Sequence, residues 1–229
     1  METDGYQVLP AWWSDVQGLR QIATKYLDAN SGPIFNDNPT VTQNDRKRLQ
    51  ATIPVVAVRN LRSTLAVGWP EHRVGGVVAL RSRPGCQRQA AHCDYIPDDA
   101  FLDTDDDTVP LIFLLALEDD TKLDVWPGSH HLVRRISRRS PVIQRRTLIL
   151  KAGDAVLFRG DLVHAGSEYS KANTRIHVYL DSSIVPRDPN RTWIIYKHAD
   201  PLLQSHIDER DGYDSDSEDT ESQKMRGTR

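Results

Sequence analysis

The sequence predicts a mainly β chain, a sandwich or barrel preceded by one helical segment. Three observations carry this expectation. From residue 53 onward the apolar pattern takes the two-residue period and short length of strands, over 53–59, 74–81, 109–117, 122–126, 147–150, 155–158 and 175–180. The breaks between these stretches hold turn formers, among them Pro84-Gly85, the acidic run 103–107, Pro127-Gly128 and Gly153-Asp154. No helical pattern interleaves with them at regular intervals, which argues against βαβ units.

Ahead of the strands, residues 12–30 carry Val16, Leu19, Ile22, Ala23, Tyr26 and Leu27 at helical spacing, with Ser14 or Asp15 as the cap. Residues 31–48 cluster Gly, Pro, Asn and Asp and read as a loop. At 229 residues the chain is expected to be one domain with tails: 1–50 as helix and loop packing on a core, 51–200 as the β domain, and 208–229 as a tail. That tail is poor in apolar residues and rich in Asp, Glu and Ser, so it is expected to be disordered. Ser215 and Ser217 lie among its acids, as acid-directed kinase sites often do.

The net charge of −3 argues neither for nor against a polyanionic partner. Cys86 and Cys93 are the only cysteines, and the first residues lack a basic and apolar leader pattern. Reduced thiols in an intracellular setting, cytoplasmic or nuclear, are the expectation. No apolar run approaches the ~18 residues of a membrane span.

Chemistry concentrates in four residues: His92 and Asp94 in A-H-C-D-Y, His164 in D-L-V-H-A-G, and Arg175 in N-T-R-I-H-V-Y-L. In a strand, residues two apart point to one side, so His92 and Asp94 can reach one ion while Cys93 points away. Two further H-x-D pairs, His198/Asp200 and His206/Asp208, follow every plausible third ligand, and the second runs into the tail. His164 ends a run, A-V-L-F-R-G-D-L-V-H, that opens on a tight Gly153-Asp154 turn and delivers it to the interior. Two histidines with one carboxylate are the ligand set that holds Fe(II) on one face and leaves the other open. Neutral imidazole is the ligand form, so acid should weaken metal binding. The strand starting at Arg175 alternates cleanly: Arg175, His177, Tyr179 and Asp181 on one face, Ile176, Val178 and Leu180 on the other.

These residues, with V-W-P-G-S-H-H at 125–131 and A-G-D-A-V-L-F-R-G-D-L-V-H at 152–164, make residues 50–185 resemble the Fe(II)/2-oxoglutarate-dependent dioxygenases, most closely the phytanoyl-CoA dioxygenase-like branch. The resemblance implies a double-stranded β-helix, the jelly-roll or cupin-like barrel. It implies Fe(II) on His92, Asp94 and His164, and 2-oxoglutarate held at its far carboxylate by Arg175, whose planar fork suits that task. With O2, and ascorbate as reductant in vitro, the reaction would release succinate and CO2 and hydroxylate a C–H bond. Related halogenases replace the carboxylate ligand with a small residue; Asp94 therefore points to hydroxylation.

Gln89, three residues before His92, and His177 are further candidates for touching the cosubstrate. Lys171 is the rival to Arg175, in a polar loop. His130, His131 and Trp126 read as structural. Arg134, Arg135, Arg138, Arg139, Arg145 and Arg146 form a basic stretch that suits an anionic substrate, the chain's own acidic tail or a solvated loop. The leading expectation is a hydroxylase of a small molecule or protein side chain. A nucleic-acid demodifying oxygenase is the alternative, weakened because no second arginine follows Arg175 closely. A non-catalytic jelly-roll binding protein is the third reading.

Overall fold

Apolar side chains on both faces of the central strands set the layering of this chain. The computed structural model describes residues 3–34, 46–95, 109–132, 143–182 and 192–194. In order these form β1 (Tyr6–Leu9), α1 (Val16–Asn30), β2 (Gly32–Pro33), β3 (Arg48–Thr52), a 3-10 turn (Val55–Val58), α2 (Arg59–Gly68), β4 (His72–Ser82), β5 (His92–Cys93), β6 (Leu111–Ala116), β7 (Thr121–Val125), the one-turn helix α3 (Ser129–Leu132), β8 (Arg146–Leu150), β9 (Ala155–Arg159), β10 (His164–Gly166), β11 (Asn173–Ser182) and β12 (Trp193–Ile194).

Two antiparallel sheets result. The seven-stranded sheet has the order β1-β9-β6-β11-β4-β3-β2, and the five-stranded sheet the order β12-β5-β10-β7-β8. One face of the larger sheet packs under the helices. Phe113 and Leu115 of β6 and Ile176, Val178 and Leu180 of β11 meet Leu19, Ala23 and Leu27 of α1 and Leu61 and Leu65 of α2. The opposite face looks at the smaller sheet, where Ile112 and Leu114 of β6 and Val156 and Phe158 of β9 pack with Leu123 and Val125 of β7 and Leu148 and Leu150 of β8. Both faces of β6 are covered, which is why its sequence is an unbroken apolar run. Each buried leucine contributes about 1.5–3 kcal/mol.

The helix expected over 12–30 begins at Val16, where the Asp15 side chain accepts the Gly18 amide at 3.0 Å. Such a cap is worth about 1 kcal/mol. Six of the seven expected strands correspond to β4, β6, β7, β8, β9 and β11, with ends shifted by a few residues. The exception is 53–59. Its β-branched run reads as a strand, but Pro54 starts a 3-10 turn that feeds α2, and Val58, Leu61 and Leu65 then bury one helical face. The loop expected over 31–48 contains β2 and the first residue of β3, and β1 was not anticipated; all three join the larger sheet. The run 155–164 is also two strands rather than one. After β9 a turn closed by the Leu162 amide on the Arg159 carbonyl carries the chain across to the smaller sheet. Among the described residues no helix is long and apolar enough to cross a membrane. The acidic run 103–107, Arg134, Arg135, Arg138, Arg139, both later H-x-D pairs and the acidic tail lie outside the described residues.

Candidate metal and cosubstrate site

The smaller sheet places two histidines side by side. His92 of β5 is the cross-strand partner of His164 of β10, and their ring centroids lie 4.4 Å apart. Asp94 follows His92 by two residues and faces the same way: its Oδ1 is 3.9 Å from His92 Nε2 and its Oδ2 is 3.7 Å from His164 Nε2. All three are buried, and one ligand atom from each lies within 4.8 Å of the others. Cys93 points the opposite way, its thiol on the Asp161 carbonyl at 3.2 Å.

The backbone decides which imidazole nitrogen faces the cluster. His92 Nδ1 lies 2.7 Å from the Ala90 carbonyl and His164 Nδ1 lies 3.0 Å from the Leu162 carbonyl. A carbonyl only accepts, so each Nδ1 carries the proton and each Nε2 presents a lone pair to the centre. This outer hydrogen bond is the usual device for orienting a metal-ligating histidine.

Electrostatics agree with that reading. Burial pushes the His92 imidazole down to about 3, with His164 adding to the shift against the pull of Asp94 and Ala90. His164 is lowered as well, chiefly by burial. Both stay neutral near pH 7. Burial alone would raise Asp94, but in acid, where the imidazoles take up protons, attraction by His164, the His177 contact and attraction by His92 together hold its carboxyl below the usual range. Asp94 Oδ2 is a buried anionic oxygen with no aligned hydrogen bond among the described residues. Such a group is costly unless a cation or donor meets it. Two imidazole lone pairs and a carboxylate converging on one point therefore fit a divalent transition metal.

β11 supplies the second half of the site. Arg175 and His177 lie on its inward face, two residues apart, about 7 Å along a strand. His177 Nε2 stands 3.1 Å from Asp94 Oδ2, without the alignment of a hydrogen bond. Arg175 is 2% exposed. Its Nη1 donates to Ser82 Oγ at 3.0 Å, and its guanidinium lies 5.8 Å from the Tyr169 ring centroid. Among the described residues no carboxylate pairs with it. A buried guanidinium beside a cluster of metal-ligand type is suited to an anion that arrives with the metal.

Gln89 is buried, and its Oε1 accepts the Gly166 amide at 2.8 Å, tying the loop before β5 to β10. Lys171 is exposed in the loop before β11. Trp126 is core, and Ser129 at the start of α3 accepts the Val163 amide at 2.9 Å, bracing the approach to His164. His130 is buried there beside His131, their centroids 3.8 Å apart, and neither belongs to the three-residue cluster. Arg145 and Arg146 are not members of that cluster: Arg145 is 3.9 Å from Asp124, and Arg146 donates to Tyr6.

No protein-family model and no curated sequence matches the chain. Solved structures do. The non-heme alpha ketoglutarate dependent carbocyclase SnoK from nogalamycin biosynthesis matches with a TM-score of 0.60 at 15% identity, over 79% of this chain and 81% of that one. The fold is that of the 2-oxoglutarate-dependent oxygenases. HygX from Streptomyces hygroscopicus, with nickel and 2-oxoglutarate bound, matches with a TM-score of 0.59 at 12% identity, over 81% of this chain and 86% of that one. A Pseudomonas putida prolyl-4-hydroxylase matches at 0.51 and 13% identity, over 79% and 94%. At these identities the likeness is one of fold.

Sequence reasoning missed Arg48 and Ser82. Both are buried, both hydrogen-bond within the site's surroundings, and the only signal for either was register in a sheet whose third strand, Arg48–Thr52, was not anticipated.

Proposed function

We propose that the protein is an Fe(II)- and 2-oxoglutarate-dependent dioxygenase that hydroxylates a C–H bond of a small molecule or a protein side chain. One observation carries this reading: the buried His92–Asp94–His164 cluster lies beside a buried arginine that has no carboxylate partner among the described residues. His92, Asp94 and His164 would hold Fe(II). Arg175 would pair with the far carboxylate of 2-oxoglutarate, and His177 and Gln89 would shape the cavity between. When bound, the metal and 2-oxo acid supply O2 activation coupled to decarboxylation, giving succinate and CO2.

The chain's own contributions are orientation and dryness. The Ala90 and Leu162 carbonyls fix the two tautomers. The apolar cluster around Phe158 and Leu114 excludes water from the interior. Asp94 keeps the acid that favours hydroxylation over halogenation. The similar structures include a carbocyclase and an epimerase as well as a hydroxylase. A small-molecule substrate is in keeping with SnoN in complex with nogalamycin RO and HygX with hygromycin B bound. The test is an anaerobic titration of 2-oxoglutarate into Fe(II)-loaded protein, read from the metal-to-ligand charge-transfer band. Saturable growth of the band is expected; no Fe(II)-dependent binding would overturn the proposal.

A further inference from the structure

Sequence pattern places Arg48 at the end of a loop and assigns it nothing. In the fold it opens β3, is 2% exposed, and has all three side-chain nitrogens bonded inside the protein. Nε donates to the Gln87 carbonyl at 3.0 Å. Nη2 donates to the carbonyls of Gln87, Gly166 and Ser167, the last two at 3.0 and 2.6 Å. Nη1 donates to Ser82 Oγ at 3.2 Å.

Those partners are not scattered. Gln87 stands five residues before His92, and Gly166 and Ser167 follow His164 by two and three. Ser82 Oγ is the same oxygen that takes Arg175 Nη1 at 3.0 Å. A single guanidinium thus touches both segments that carry the histidines and the hydroxyl that holds the cosubstrate arginine. Register reinforces the link: Arg48 pairs with Ser82 on β4, and Ser82 with Asn173 at the start of β11. Gly166 is pinned from both sides, its carbonyl on Arg48 and its amide on Gln89.

We infer that Arg48 is a positioning residue that sets the span between the histidine segments and Arg175, and so the length of dicarboxylate the site accepts. This rests on the proposed function above. A planar fork with five N–H groups can serve a hydroxyl and three carbonyls at once; a lysine ammonium has three donors on one point and cannot hold that pattern. Removing the fork leaves buried carbonyls short of a donor, so some loss of stability is expected whatever the role. The discriminating readout is therefore chain-length preference rather than stability.

The experiment compares anaerobic, Fe(II)-dependent binding of 2-oxoglutarate and of its one-methylene-longer homologue 2-oxoadipate. Full-length wild type, Arg48→Lys and Ser82→Ala are titrated well below their melting temperatures. Wild type is expected to favour 2-oxoglutarate, and Arg48→Lys to lose about 10-fold or more of that preference, the range typical of outer-shell changes. Ser82→Ala removes only the shared hydroxyl and is expected to lose a smaller part of it. A folded Arg48→Lys with lower thermal stability but unchanged preference would overturn the inference. Should Arg48→Lys fail to fold, an unchanged preference in Ser82→Ala overturns it and a reduced one supports it. Wild type that binds neither acid with Fe(II) removes the proposed function itself, an outcome distinct from a variant that binds both acids as wild type does.

Discussion

Arg175→Met separates function from stability in opposite directions. Among the described residues Arg175 has one hydrogen bond, to Ser82 Oγ, and one cation–π contact, with Tyr169. Together these are worth about 1–3 kcal/mol. Against them stands the cost of holding a guanidinium away from water without a carboxylate, several kcal/mol in real proteins. Methionine fills much of the same volume, and Ser82 Oγ keeps its Arg48 donor at 3.2 Å, so no polar group is orphaned. The apo variant should therefore melt at the wild-type temperature or above it. Binding should behave the other way. Truncating one member of a buried, hydrogen-bonded charge pair costs about 2–5 kcal/mol, which is a loss of about 30-fold to several thousand-fold in 2-oxoglutarate affinity at 1.4 kcal/mol per decade. Differential scanning fluorimetry without ligand and anaerobic titration with Fe(II) measure the two halves. A variant that is clearly destabilised yet binds 2-oxoglutarate as wild type does would show that Arg175 is a structural residue and refute the reasoning.

Other expectations follow from the same geometry. The apo protein should lose stability as pH falls below about 6.5: His92 is lowered to about 3 when folded, so the unfolded chain binds the extra proton first, at about 1.4 kcal/mol per pH unit for that residue, with His164 adding in the same direction. The lowered Asp94 adds its own loss only below about 3.8, so urea titrations between pH 7 and 4 isolate the histidines; a flat profile there would contradict their burial as neutral groups. Gly166→Ala should weaken metal and 2-oxo acid binding together, because a Cβ there would collide with Gln89 Oε1 and lie 2.8 Å from Arg48 Nη1; wild-type affinities for both would show that this junction gives freely. Tyr95→Phe removes a 2.7 Å hydrogen bond to Asp181 Oδ1 and should cost about 1.5–3 kcal/mol in chemical denaturation, since the acceptor is a buried carboxylate; a change within 0.5 kcal/mol is the contrary result.

How far the sequence could be read depended on whether a residue's role was local. The alternation of β11 declared its two faces, because Ile176, Val178 and Leu180 must meet the helices and leave Arg175 and His177 inward. His92 and Asp94 were legible as i and i+2 of an extended segment. What the sequence did not show was the cross-strand step that pairs His92 with His164, since β5 and β10 span only two and three residues. Strand β3 was hidden for a related reason: R-L-Q-A-T lacks a strong apolar pattern and is held by its register with β4. The segment 53–59 failed in the other direction, its β-branched residues outweighing the helical spacing of Val58, Leu61 and Leu65 that decides the fold. Arg48 shows the limit most plainly, because its importance consists of contacts as many as 119 residues away.

The most direct test of the central claim is turnover. Succinate formed from 2-oxoglutarate is measured under air with Fe(II) and ascorbate, in the presence of a panel of small-molecule and peptide substrates, for wild type and His164→Ala. Wild type should form 2-oxoglutarate-dependent succinate and His164→Ala none above background, with both proteins folded. Equal succinate from the two, or Fe(II)-loaded wild type that binds no 2-oxoglutarate and forms none with any substrate, would contradict it.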